Sequence, residues 1–237
     1  MIFRHPWRVV SVVFILALAA IELHAQTPAQ SPSSSSSKHS TKPASHADSE
    51  LDPGSVANGV YHNKSLALAC NIPEGWVLRT DELNAREEEP APPANENQPE
   101  KDKAAAPASS AGAKVLLAAF SRPPQAKGEE INASILIAAE SAAAYPGLKE
   151  AAQYFGPLIE VAKSQGFTLE EDPYDIAVGT KTLVRADFHK DVGSRVMHQS
   201  TLAMLVHGYA ISITVIAGTE DDVEDLIDGL SFTAPPK

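Results

Sequence analysis

The chain has 237 residues, 43% of them apolar, and a formal charge of −11 from 19 Lys and Arg against 30 Asp and Glu. That length and apolar content suffice for one packed domain, while the acidic balance argues against nucleic acid and anionic lipid head groups as partners. The one cysteine excludes an internal disulfide.

Arg4 and Arg8 precede an apolar run over residues 9–21, and Leu23, His24 and Ala25 offer a cleavage site before Gln26. This is a secretory signal layout spanning 1–25. The run is shorter than the roughly 20 residues that cross a bilayer, so no stable membrane insertion is expected after cleavage. The expectation is an exported protein, periplasmic or extracellular, with a charge of 17 − 29 = −12 once Arg4, Arg8 and Glu22 are removed. Residues 26–55 are rich in Ser, Pro, Thr, Lys and His and lack apolar periodicity, which predicts a disordered tether whose His39 and His46 are solvated.

A single folded unit is expected over 56–233, followed by a tail at 234–237. Strands over 59–62 and 66–71, joined at Asn63 and Lys64, lead into a corner at Pro73, Glu74 and Gly75, and a third strand leaves it over 76–79. Cys70 alternates with small apolar residues and has no cationic neighbour in sequence, so it reads as a buried thiol. Residues 81–112 carry Glu87, Glu88, Glu89, Pro90, Pro92 and Pro93, a composition that predicts a disordered insertion. Strands follow over 115–121 and 131–138, with a hairpin loop at 123–130.

Leu148, Ala151, Ala152, Phe155, Ile159 and Ala162 recur every three or four residues and predict a helix over 146–165, kinked or broken at Pro157 and stopped by Gly166. Strands over 174–178, 182–188, 196–205 and 209–217 then form an antiparallel meander, with turns at Asp191-Val192-Gly193 and His207-Gly208. Thr219 and Asp222 mark the cap of a last helix, whose Val223, Leu226, Ile227 and Leu230 face inward, with Phe232 after it.

This order of elements, with Gly59-x-Tyr61 and Ile72-Pro73-Glu74-Gly75-Trp76 near the start and 208–213 and 230–232 near the end, resembles the PsbP/Mog-like superfamily. The resemblance implies an α+β fold in which an antiparallel sheet is flanked by helices, an α/β/α sandwich. It also implies a binding or assembly role, and carries no catalytic set onto these residues.

His189, His198 and His207, with Asp187 and Asp191, lie on or near adjacent predicted strands and raise the question of a metal. Alternation puts His198 with Ser200 and Leu202, and His207 on the other face with Met197 and Leu205, which splits the group. No Gly-x-Ser-x-Gly elbow or phosphate loop occurs, Gly193-Ser194-Arg195 reads as a hairpin exit, and Asp221 and Asp222 read as helix capping. Asp172-Pro173-Tyr174-Asp175 is an acidic turn without the alternating spacing of a Ca²⁺ loop. No catalytic, cofactor or metal residue is assigned, and Tyr61 and Trp76 are the candidates to line a ligand or partner cleft. The expected function is an exported, non-enzymatic binding or assembly module of the cell envelope with a protein partner. The alternatives are an extracytoplasmic hydrolase with a spatially assembled site and a carrier of a small apolar ligand.

Overall fold

The computed structural model describes residues 51–88, 113–123 and 131–233. The expected signal segment, the expected tether up to residue 50, residues 89–112 of the expected insertion, the expected hairpin loop from 124 to 130 and residues 234–237 lie outside the described residues.

Eight strands form the larger sheet: β4 (Val77–Leu78), β5 (Lys114–Phe120), β6 (Ser134–Ser141), β7 (Thr168–Leu169), β8 (Tyr174–Val178), β9 (Lys181–Val192), β10 (Arg195–Val206) and β11 (Tyr209–Ala217). Their order is β4-β5-β6-β11-β10-β9-β7, with β8 also on β9, and the pairs are antiparallel. His207 and Gly208 join β10 to β11 with φ of 52° and 80°, the positive pair that a type I′ hairpin requires. A smaller sheet has the order β1-β2-β3-β12, from Ser55–Ala57, Val60–Asn63, Leu68–Asn71 and Leu230–Phe232.

Alternation along the central strands makes two interiors from one sheet. On one face, Ile135, Ile137, Leu183, Leu202, Ile211, Ile213 and Val215 pack with Tyr61, Leu68, Cys70 and Phe232 of the smaller sheet and with Val223, Leu226 and Ile227 of helix α3 (Glu220–Asp228). On the other, Val184, Ala186, Phe188, Ala203 and Ala210 meet Tyr154, Phe155, Leu158 and Ala162 of helix α2 (Ala151–Ser164).

The α/β/α sandwich is therefore corrected to a β-rich fold of antiparallel sheets, since the face opposite α2 is covered by a second sheet together with α3. Residues 230–232 account for much of the difference. They follow a helix and look like its apolar exit, but Gly229 ends the helix and Leu230, Ser231 and Phe232 pair with Cys70, Ala69 and Leu68. Such pairing between chain ends leaves no local periodicity to read.

Two boundaries also move. The folded body begins inside the expected tether: Leu51 is buried, Asp52 accepts from the Gly54 and Lys64 amides, and the buried Asn63 amide donates to Asp52 O at 2.7 Å. Gly54 has φ of +77° and lies so close to Tyr61 that a Cβ would stand 2.5 Å from its ring. The expected insertion opens with helix α1 (Thr80–Glu88), whose Leu83 is buried against Val115, Ala118 and Phe120. Helix α1 also covers the outer edge of β5. Asn84 bonds both the amide and carbonyl of Val115 at 2.9 Å, and Thr80 Oγ1 accepts from Ala118 N.

Helix α2 starts five residues later than the expected 146, at a capping box between Glu150 and Gln153, and runs through Pro157 without a break. Tyr154 and Leu158 form the centre of its buried stripe, and Ala152 is exposed.

Candidate functional site

Strands β9 and β10 present Leu183, Arg185, Asp187 and His189, and His198, Ser200 and Leu202, to the side of the larger interior. Moving along the strands away from the smaller sheet, Leu183 and Leu202 give way to paired Asp187 and Ser200 and then to paired His189 and His198. The apolar interior thus opens into a polar cleft of about 150 Å³, roofed by the first turns of α3 with Glu220 and Glu224. Glu170 flanks it, held by a 2.9 Å bond from its amide to Asp187 O.

Asp187 is the hub of the cleft floor. Its carboxylate accepts from Arg185 Nε at 2.9 and 3.0 Å, from the Tyr174 hydroxyl at 2.7 Å and from the Ser200 hydroxyl. Arg185 also donates to both carboxylate oxygens of Glu224, one at 3.1 Å. Burial alone would lower the Arg185 pKa, but hydrogen bonds to Glu224 and Asp187 outweigh it and hold the guanidinium charged. Burial first, and then the bond to Asp187, push the Tyr174 phenol above its ordinary range. Three donors therefore converge on this one carboxylate, and Ser200 shares it with Arg185 and Tyr174.

At the mouth, His189 Nδ1 lies 3.2 Å from Glu170 Oε1, and His198 Nδ1 lies 3.7 Å from Glu220 Oε1. One ligand atom from each of Glu170, His198 and Glu220 falls within 4.8 Å of the other two, an arrangement that could hold a metal ion. His198 Nδ1 is a buried atom with no hydrogen-bond partner among the described residues.

The structure separates His198 from His207, as the alternation implied, and adds the register across the strands. His207 sits in the β10–β11 turn, whereas the register brings His189 opposite His198 and beside Asp187. Asp191 pairs with Val196 toward the hairpin tip and does not line the cleft. Sequence reasoning missed Glu170, Arg185, Glu220 and Glu224. Arg185 and Asp187 carried a signal, since a charged pair two apart on a strand must share one face. Glu170 and Glu220 carried none.

Tyr61 and Trp76 both pack with the larger interior, and neither lines the cleft. The Tyr61 hydroxyl donates to Pro53 O at 3.0 Å and accepts from Asn63 at 3.1 Å, and burial pushes its pKa up to about 12. Burial likewise pushes the Cys70 thiol up to about 12. The Asp222 amide donates to Thr219 Oγ1 at 3.1 Å, the cap expected there. Among the described residues no helix is long and apolar enough to cross a membrane.

No protein-family model and no curated protein matches the chain. Among solved structures, a Pseudomonas aeruginosa protein of unknown function, PA94, described as a putative regulator, is 18% identical over 48% of this chain and 80% of its own, with a TM-score of 0.34. LpqN of Mycobacterium tuberculosis, described as involved in cell envelope biogenesis, is 12% identical over 70% of this chain and 83% of its own, also at 0.34. A Bacteroides thetaiotaomicron protein is 9% identical over 70% and 45%, at 0.31. Likenesses at these scores carry no argument about what this chain does, and membership of the PsbP/Mog-like superfamily is not shown by them.

Proposed function

We propose that the protein is an exported, non-enzymatic binding or assembly module of the cell envelope, and that the cleft beside α3 receives a cationic group of its protein partner. The observation that carries this reading is the charge around the cleft: Glu170, Asp187, Glu220 and Glu224 surround it against the single guanidinium of Arg185. Arg185 is engaged by Asp187 and Glu224, and the two carboxylates at the mouth, Glu170 beside His189 and Glu220 beside His198, face an incoming positive charge with no Lys or Arg of their own among the residues lining the cleft. Export is supported by the basic and apolar layout of residues 1–25. The polar lining suits an apolar ligand poorly.

Capture from envelope extract tests the reading. Wild-type protein should retain a basic partner at low salt, and Glu170→Gln with Glu220→Gln should lose it. Equal capture by both forms, or none by either, would contradict the reading. Hydrolysis is a second reading, favoured by the convergence of Glu170, His198 and Glu220. Turnover of an ester or glycoside panel that disappears in His198→Ala would select it.

A further inference from the structure

We propose that Glu170, His198 and Glu220 bind a divalent transition-metal ion of the zinc class, fastening the first turn of α3 to β10 and to the segment ahead of β8. The proposal rests on the same cleft as the binding reading above and makes the ion the cation that Glu170 and Glu220 meet, in place of a basic side chain of the partner. Two carboxylates alone would suit any hard cation, but an imidazole nitrogen among them shifts the preference toward zinc and its neighbours and away from calcium and magnesium.

Three observations support the site. The donor atoms lie within 4.8 Å of one another although they come from a loop, a strand and a helix. Tetrahedral zinc with bonds of about 2.0 to 2.1 Å sets its ligands roughly 3.3 Å apart, so a closure of up to about 1.5 Å brings three of its four positions into place. Glu220, whose side chain is 76% exposed, is free to make that movement.

The second observation is His198 Nδ1 itself. Buried polar atoms nearly always find a partner, and this one has none within hydrogen-bond distance among the described residues. A cation between it and the two glutamates would supply one. The third is the outer partner that metal ligands commonly have: His189, paired with His198 across the strands, holds Glu170 through Nδ1 at 3.2 Å, while the Glu170 amide is fixed on Asp187 O. The positive end of α3 opposes a cation here, but Glu220, Asp221 and Asp222 stand in that first turn and offset it.

The test is calorimetric titration of the untagged, chelator-stripped full chain with ZnCl₂, paired with thermal unfolding in the same solutions. Wild-type protein should lose one bound equivalent on His198→Ala, and its midpoint should rise with zinc where the variant's does not. Glu220→Gln, at an exposed position, should fold normally and lower affinity at least tenfold, and His189→Ala should lower it about tenfold. CaCl₂ in excess should not displace the ion. Counting the equivalent lost, and not the total, separates this site from the other histidines of the chain. Equal zinc uptake by wild-type, His198→Ala and Glu220→Gln proteins, or displacement by calcium, would overturn the assignment. If zinc fails while partner capture still depends on Glu170 and Glu220, the metal falls and the binding reading stands.

Discussion

Glu140 and Asp187 are two carboxylates on opposite faces of the same sheet, and tyrosine hydroxyls satisfy both of them. Glu140, on β6, is 5% exposed and accepts from Tyr154 at 3.0 Å and from Tyr145, two rings in edge contact 5.2 Å apart. Both tyrosines pack in the interior that α2 forms with the sheet. Asp187, on β9, has Tyr174 and Ser200 in the corresponding role but adds Arg185, and its side chain remains 16% exposed at the floor of the cleft. The difference teaches that a buried acid is not by itself a sign of function. Neutral donors and a closed lid make one a structural pin, while a cation and an opening make the other part of a site.

The strongest way to break this contrast is to remove a side chain from the closed end. Tyr154→Ala should cost about 3 to 5 kcal/mol in urea unfolding, from a lost buried ring and an exposed acid, with zinc affinity unchanged in the folded fraction. Asp187→Ala should cost about 2 to 4 kcal/mol, because Tyr174, Ser200 and one edge of Arg185 lose their acceptor, and it should also disturb the cleft. Hydroxyl deletions sharpen the comparison further. Tyr154→Phe should cost about 1 to 3 kcal/mol and Tyr174→Phe about 1 kcal/mol or less, since water can reach the open carboxylate and not the closed one. Equal costs would remove the distinction.

The smallest effect at neutral pH is that of ionisation. Burial first, and then Glu140 or Asp187, raise the phenols of Tyr145, Tyr154 and Tyr174, while burial raises Tyr61 and Cys70 to about 12. A raised folded-state pKa favours the neutral form, so its contribution is whole below the unfolded value and fades as pH climbs toward the folded one. Thermal midpoints should therefore lose this contribution from pH 9.0, the ordinary thiol value, through 10.0, the ordinary phenol value, toward 12. Phenolate absorbance that rises at the ordinary pH while the fold persists would show these hydroxyls to be solvated.

Legibility followed the range of the signal. Strands β8 and β11 and the Thr219 cap were readable because period-two alternation and capping are local patterns. The face shared by His198, Ser200 and Leu202 was readable for the same reason. The strand β12 is three residues long and pairs with residues 68–70, and α1 lies in a stretch whose Glu and Pro content points to disorder. Neither could be found from its own sequence, and losing β12 turned a second sheet into an expected helical layer. The cleft failed in the same way, since only tertiary packing sets Glu170 and Glu220 beside His198.

The central claim is that the sheet's polar end is open and ligand-binding while its tyrosine-held end is closed. Side-chain ¹⁵N NMR of the histidines during zinc addition tests it most directly. The account predicts a large shift at His198 Nδ1, a smaller one at His189, and no change in the backbone amide ¹⁵N resonances of Tyr145 and Tyr154. Unmoved His198, or changes spread equally to His62 and His207, would contradict it.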